Sequence, residues 1–155
     1  MKTRLSLIFV FIGLAFSCDK SYFNPIPNST VLLYLHLDTD AYDMILRGLN
    51  TTRTYPNINH SYNQIERTGY GGILVFHGQE NGADAFFAYD MACPNEASPS
   101  VKVVVENTLF ARCPKCKTKY EIWAGVGNPV EGPSKYSLKR YINVSVSGNL
   151  VTIYN

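Results

Sequence analysis

The sequence predicts an all-β fold, and three observations carry it. Apolar and β-branched residues gather in runs of five to seven, too short for typical helices and right for strands. Between the runs lie Gly, Asn, Ser and Pro, the residues that tight turns demand. Nowhere do apolar residues recur at helical spacing over a long stretch. The 155 residues suit one domain and exclude a multidomain enzyme, while 46% apolar against 17% charged residues gives enough material for a core.

The elements follow in chain order. Met1 to Arg4 is cationic and Leu5 to Phe16 almost wholly apolar, the n-region and h-region of a secretory signal. The run is too short to span a bilayer, which takes about 20 apolar residues. Leu14-Ala15-Phe16-Ser17-Cys18 resembles a bacterial lipobox, which implies a diacylglyceryl group on the Cys18 thiol. The chain thus divides into a lipoprotein signal peptide (1–17), a lipidated tether (18–30) and a domain (31–155). A lipidated Cys18 places the protein in the bacterial cell envelope, anchored to a membrane on its extracytoplasmic side. Lys2 and Arg4 leave with the signal, so 14 basic residues become 12, equal to the 12 acidic ones. A neutral mature chain argues against a nucleic-acid partner, which requires clustered excess Lys and Arg.

Val31 to Leu37 reads as the first strand, and Asp38 to Leu49 as a short helical turn around Tyr42, Ile45 and Leu46. Asn50 to Arg67 is polar and carries no predicted element. Gly71-Gly72 leads into a strand at Ile73 to His77, Gly78 to Gly82 is a turn by composition, and Ala85 to Asp90 is the partner strand. Further strands are predicted at Val101 to Val105, Thr118 to Trp123, Ile142 to Val146 and Leu150 to Tyr154, the last two joined by a compact turn at Ser147-Gly148-Asn149. Strands at this spacing suggest a sandwich or barrel.

The cysteines carry the chemistry. With Cys18 assigned to the lipid, Cys93, Cys113 and Cys116 remain, an odd number that cannot pair completely within one chain. They lie in Cys93-Pro94-Asn95-Glu96 and Cys113-Pro114-Lys115-Cys116, two loops in which Pro stiffens the turn and a thiolate can point outward from a strand end. Three thiols with a fourth donor make an ordinary metal site.

These loops resemble those of the Rieske [2Fe-2S] domain family, Cys-x-His and Cys-x-x-His, separated here by the seventeen residues between Asn95 and Cys113. Ala85 to Asp90 before the first loop, Tyr120-Glu121 after the second, and Gly125, Gly132-Pro133, Leu138 and Tyr141 to Val144 downstream resemble the family's register over about residues 70–154. The resemblance implies a β-sandwich or barrel base with a small loop-rich cluster-binding subdomain, and an electron-transfer role with a redox protein partner. Both ligand histidines are replaced, by Asn95 and Cys116, and the Gly and Ser that follow the second loop by Lys117 and Thr118. Asn95 is a weak candidate for a fourth ligand, because a neutral amide is a poor donor and does not titrate. The family geometry brings Cys93 and Cys113 to one iron, so a disulfide at this site is expected first between those two.

Four states of the thiols stay open: an altered [2Fe-2S] cluster for electron transfer, zinc, a disulfide in a cluster-free binding or structural lipoprotein, and a catalytic Cys113/Cys116 dithiol. A standalone enzyme is not expected, since the chain has no room for a second catalytic domain; an electron-transfer component is the most it implies. His36, His60 and His77 read as ordinary hydrogen-bonded residues, and Asp90 and Glu96 as solvated turn residues flanking Cys93. Lys117 is a candidate to offset thiolate charge, and Trp123 reads as a core or sheet-face residue. The sequons at Asn28, Asn50, Asn59 and Asn143 are chance matches if the lipobox reading holds.

Overall fold

The computed structural model describes residues 23–56 and 65–155. The signal segment, Cys18 and His60 lie outside the described residues. Three four-stranded antiparallel sheets stack in layers. The base sheet has the order β11-β12-β1-β3, formed by Asn143–Ser147, Leu150–Tyr154, Val31–His36 and Arg67–Thr68. The central sheet has the order β10-β5-β4-β2, formed by Arg140–Tyr141, Ala83–Asp90, Gly72–Glu80 and Thr51–Pro56. The outer sheet runs β6-β7-β8-β9, formed by Val104–Asn107, Phe110–Arg112, Lys119–Glu121 and Pro129–Glu131.

The unbroken apolar run of β4 follows from its position. Successive strand side chains point to opposite faces, and both faces of this strand are covered. Ile73 and Val75 join Leu33, Leu35, Val151 and Ile153 of the base sheet in one core. Leu74 and Phe76 join Phe87, Tyr89, Ala111, Tyr120 and Ile122 in a second core toward the outer sheet, and that core includes Cys93 and Cys113. Each fully buried aliphatic or aromatic side chain contributes about 1.5–3 kcal/mol. The cysteine loops therefore rest on a packed apolar floor.

Two hairpins carry the turn chemistry their sequences predict. Glu80 pairs with Ala83 across Asn81-Gly82, whose φ values of 54° and 81° are those of a type I′ turn. The turn is thus only two residues, and Gly78 to Glu80, expected in the loop, extends β4. Ser147 pairs with Leu150 across Gly148-Asn149, with Gly148 at φ 59°. The predicted helical turn is a 3-10 turn at Asp43–Arg47, anchored by buried Leu46; the Asp43 carboxylate accepts from His36 N–H at 2.8 Å and Tyr55 hydroxyl at 2.6 Å.

Several elements differ from expectation. β2 arises in the stretch given no element, pairing with β4 from Thr51↔His77 to Pro56↔Gly72 as a half-buried edge strand. The strand expected at 101–105 is displaced to β6, because residues 101–103 instead pair back to the end of β5: Cys93 N–H donates to Val101 O at 2.9 Å and Val103 N–H to Met91 O at 2.8 Å. Residues 23–30 lie against the domain. Ile26 is buried, Asn24 donates to Ser137 O, and Lys139 Nζ donates to the carbonyls of Ile26 and Pro27 and to Asn28 Oδ1. No helix among the described residues is long and apolar enough to cross a membrane.

Candidate metal centre

The two Cys-Pro loops share one backbone design. In the first, between β5 and β6, Ala97 N–H donates to Cys93 O at 2.9 Å, and Ala97 sits at φ 47°. In the second, between β7 and β8, Lys117 N–H donates to Cys113 O at 3.1 Å, and Lys117 sits at φ 65°. Each turn closes on its cysteine carbonyl four residues back and ends in the left-handed region, which non-glycine residues seldom occupy. The Pro after each cysteine fixes φ for the turn. Cys113 N–H donates to Thr118 O at 2.8 Å, closing the base of the second loop.

The loop tips bring all three domain cysteines together. The Sγ atoms of Cys93, Cys113 and Cys116 lie within 4.8 Å of one another, and Cys93 Sγ is 3.6 Å from Cys116 Sγ. Sulfurs bound tetrahedrally to one zinc at about 2.3 Å stand about 3.8 Å apart, a separation the three thiols can adopt with small shifts. None of the three is joined in a disulfide. The bridge expected first, Cys93 to Cys113, is not formed, and Cys93 Sγ and Cys116 Sγ at 3.6 Å are far from the S–S bond length of about 2.05 Å.

The thiols have unequal surroundings. Cys93 is fully buried, and burial pushes its thiol up to about 12, despite hydrogen bonds from the Tyr120 hydroxyl, 3.5 Å away, and the backbone N–H groups of Asn95 and Glu96. Cys116 is partly exposed. Burial would raise it, but hydrogen bonds from Thr118 and from the neighbouring thiols outweigh this and hold it below the ordinary thiol range. Thr118 Oγ1 lies 3.2 Å from Cys116 Sγ and accepts Ser134 N–H at 3.2 Å, which leaves its hydroxyl proton free to stabilise a thiolate. Gly132 makes this third loop contact feasible: at φ 95°, a Cβ would fall 2.6 Å from Thr118 Cα.

Three expectations for nearby residues are corrected. Asn95 does not face the thiols; it is exposed, and its amide donates to Glu96 Oε1 at 3.4 Å. Asp90 is not a solvated turn residue but fully buried, accepting from Tyr70 N–H, Gly71 N–H, Ala92 N–H and the Tyr141 hydroxyl at 2.6–2.9 Å. Glu96 is likewise mostly covered and pairs with Lys115 of the other loop. Lys115, not Lys117, is the cation whose ammonium is held charged by Glu96, Cys113 and Cys116; Lys117 Nζ turns back to Pro114 O. Tyr120, the aromatic after the second loop, reaches Cys93 from the inward face of β8.

The histidines stay apart from the sulfurs. His77 stacks on Phe86 with ring centroids 4.2 Å apart, its Nδ1 3.1 Å from Gly48 O, and neither His36 nor His77 joins the cysteine group. A separate apolar cavity of about 430 Å³, lined by Leu49, Asn50, Phe76, Gln79, Leu109 and Trp123, lies between the central and outer sheets; Trp123 is 48% exposed there rather than in the core.

No family model and no curated protein matches the chain. Among solved structures it is similar to a chain of the complex of reduced oxygenase and oxidized ferredoxin in carbazole 1,9a-dioxygenase, at 15% identity over 68% of this chain and 90% of that one, with a TM-score of 0.43. It is also similar to the Sphingomonas yanoikuyae B1 ferredoxin, at 13% identity over 71% and 92%, with a TM-score of 0.42. The ferredoxin of carbazole 1,9a-dioxygenase from Nocardioides aromaticivorans IC177 gives 13% identity over 79% and 96%, with a TM-score of 0.43.

Proposed function

We propose that the chain is a membrane-anchored, Rieske-like metal-thiolate domain of the bacterial cell envelope, in which Cys93, Cys113 and Cys116 hold one metal ion. The convergence of three sulfurs within 4.8 Å of one another carries this reading. A His-ligated [2Fe-2S] centre does not fit the described residues. Its second iron needs two imidazoles, yet Asn95 is turned to Glu96 and Cys116 shares the sulfur cluster on the first side. Zinc in this set would cross-link the loops of the outer layer, and iron would add one-electron chemistry for a redox protein partner.

An iron–sulfur electron carrier is the second reading, favoured by the Rieske-like register of both loops and by the Tyr120 hydroxyl beside Cys93 Sγ. Metal and acid-labile sulfide analysis of anaerobically purified protein, with its visible spectrum, separates the two. One ion per chain without sulfide is expected. Two irons with two sulfides would replace the single-ion reading by the second, and a metal-free protein after anaerobic reconstitution with zinc or with iron and sulfide would defeat both.

The anchor is the Cys18 thiol. Cys18→Ala is expected to shift the protein from the membrane pellet to the soluble fraction and to abolish lipid labelling, because loss of a diacylglyceryl group removes about 0.8 kcal/mol of membrane affinity per buried methylene. Retention of the variant on membranes would refute the lipid anchor.

A further inference from the structure

We propose that Glu96 supplies the fourth ligand to the metal, completing a three-thiolate, one-carboxylate site; this rests on the metal-thiolate reading above. The argument is the equivalence of the two loops. Each runs Cys-Pro, two further residues, then a residue in the left-handed region whose N–H returns to the cysteine carbonyl. The position three after the cysteine is Cys116 in the second loop, where it faces the other sulfurs. The equivalent position in the first loop is Glu96. The same backbone turn therefore puts residue 96 where the sulfur-bearing residue stands in the other loop; its carboxylate is turned to Lys115 and Asn95, outside the group of three sulfurs, and a change of side-chain rotamer would bring it to the ion.

The surroundings of Glu96 favour ligation over solvation. Its side chain is only 12% exposed, although it belongs to a surface loop. Lys115 of the opposite loop pairs with Oε2, and the Asn95 amide donates to Oε1. On a metal, Oε1 would leave its 3.4 Å contact with Asn95 for the ion, and Oε2 would keep a hydrogen-bonding partner, as the second oxygen of a ligating carboxylate does. Lys115 is such a partner, and its charge also offsets the excess negative charge that three thiolates and a carboxylate place on a divalent ion.

Cobalt(II) binding to the detergent-solubilised full chain under reductant tests this, with a competing chelator to measure affinity. Glu96→Cys is expected to raise the sulfur-to-cobalt charge-transfer absorption by about one third, from three thiolates to four. Glu96→Gln is expected to weaken zinc and cobalt binding by about tenfold or more, with the three-thiolate band retained. An unchanged affinity in Glu96→Gln, or a Glu96→Cys spectrum identical to that of the parent, would overturn the assignment. If the parent chain binds no cobalt at all, the metal-thiolate reading itself fails, which is a different result from metal bound without help from position 96.

Discussion

Asp90→Ala is expected to lower the unfolding free energy by about 3–5 kcal/mol, a large share of the 5–15 kcal/mol available to a typical domain. The carboxylate is fully buried and collects three backbone N–H groups and one hydroxyl. Alanine removes the acceptor these groups share, at about 1–3 kcal/mol for each one that neither water nor another acceptor reaches. The backbone is too close here to relax: a Cβ on Gly71 would meet Ala92 N at 2.4 Å, so the chain segments around Asp90 are already in contact. The effect reaches the cysteine cluster because Ala92 directly precedes Cys93. Asp90→Asn is the milder variant. It keeps one acceptor oxygen, while its NH2 group would oppose a backbone N–H, for an expected loss of about 1–3 kcal/mol. Urea titration of both variants, with unchanged m-values, is the check. A loss below about 0.5 kcal/mol for Asp90→Ala would mean that the four donors find other partners, and that Asp90 is not the anchor of the first cysteine loop.

The sequence made the strongly patterned parts of this fold legible. β1, β4 and β12 carry inward apolar residues, and Asn81-Gly82 and Gly148-Asn149 announce their turns by the φ values they tolerate. The resemblance of the two Cys-Pro loops to the Rieske pair points to one candidate site at Cys93, Cys113 and Cys116, whose sulfurs lie within 4.8 Å of one another. Parts that depend on a partner distant in sequence were not legible. β2 is polar and half-buried, so only its pairing with β4 makes it a strand. β10 has two residues and exists because Arg140 and Tyr141 pair with Tyr89 and Ala88 just before the chain enters the base sheet at β11. The burial of Asp90 was hidden for the same reason: its acceptor role requires Tyr70 and Gly71, some twenty residues upstream. Asn95 was named as ligand candidate by its place in the family motif. The turn that ends at Ala97 instead exposes it and covers Glu96.

Cys113→Ser is expected to reduce metal affinity by more than about 100-fold, beyond the 10–100-fold typical of losing an outer-shell partner, because a serine hydroxyl does not ionise near neutral pH and is a hard donor. A metal that binds only the folded chain stabilises it by about 4 kcal/mol at a thousandfold excess over its dissociation constant, and the variant forfeits that increment. The loss should be local. Strands of the outer sheet are three or four residues long and meet at the cysteine loops, while the base sheet has its own apolar core. Amide exchange should therefore rise in β7 and β8 with little change in β1 and β12. pH separates the loaded from the metal-free state. Cys93 is raised to about 12 in the metal-free fold, so the preference of that fold for a neutral thiol is fully present below the ordinary thiol value of about 8.5 and is lost as the pH climbs toward 12. Cys116 is shifted the other way, so its contribution is present above the ordinary value and falls away as pH drops; the fully buried Cys93 has the larger displacement and sets the alkaline trend. Metal binding must expel these protons, so the loaded protein gains stability as the pH rises to the ordinary thiol value of about 8.5 and holds it above, while the metal-free fold loses stability there. Melting curves with and without a chelator from pH 6 to 10 should consequently diverge toward alkaline pH in the parent chain and run together in Cys113→Ser. Divergence that persists in the variant would place the metal elsewhere in the chain.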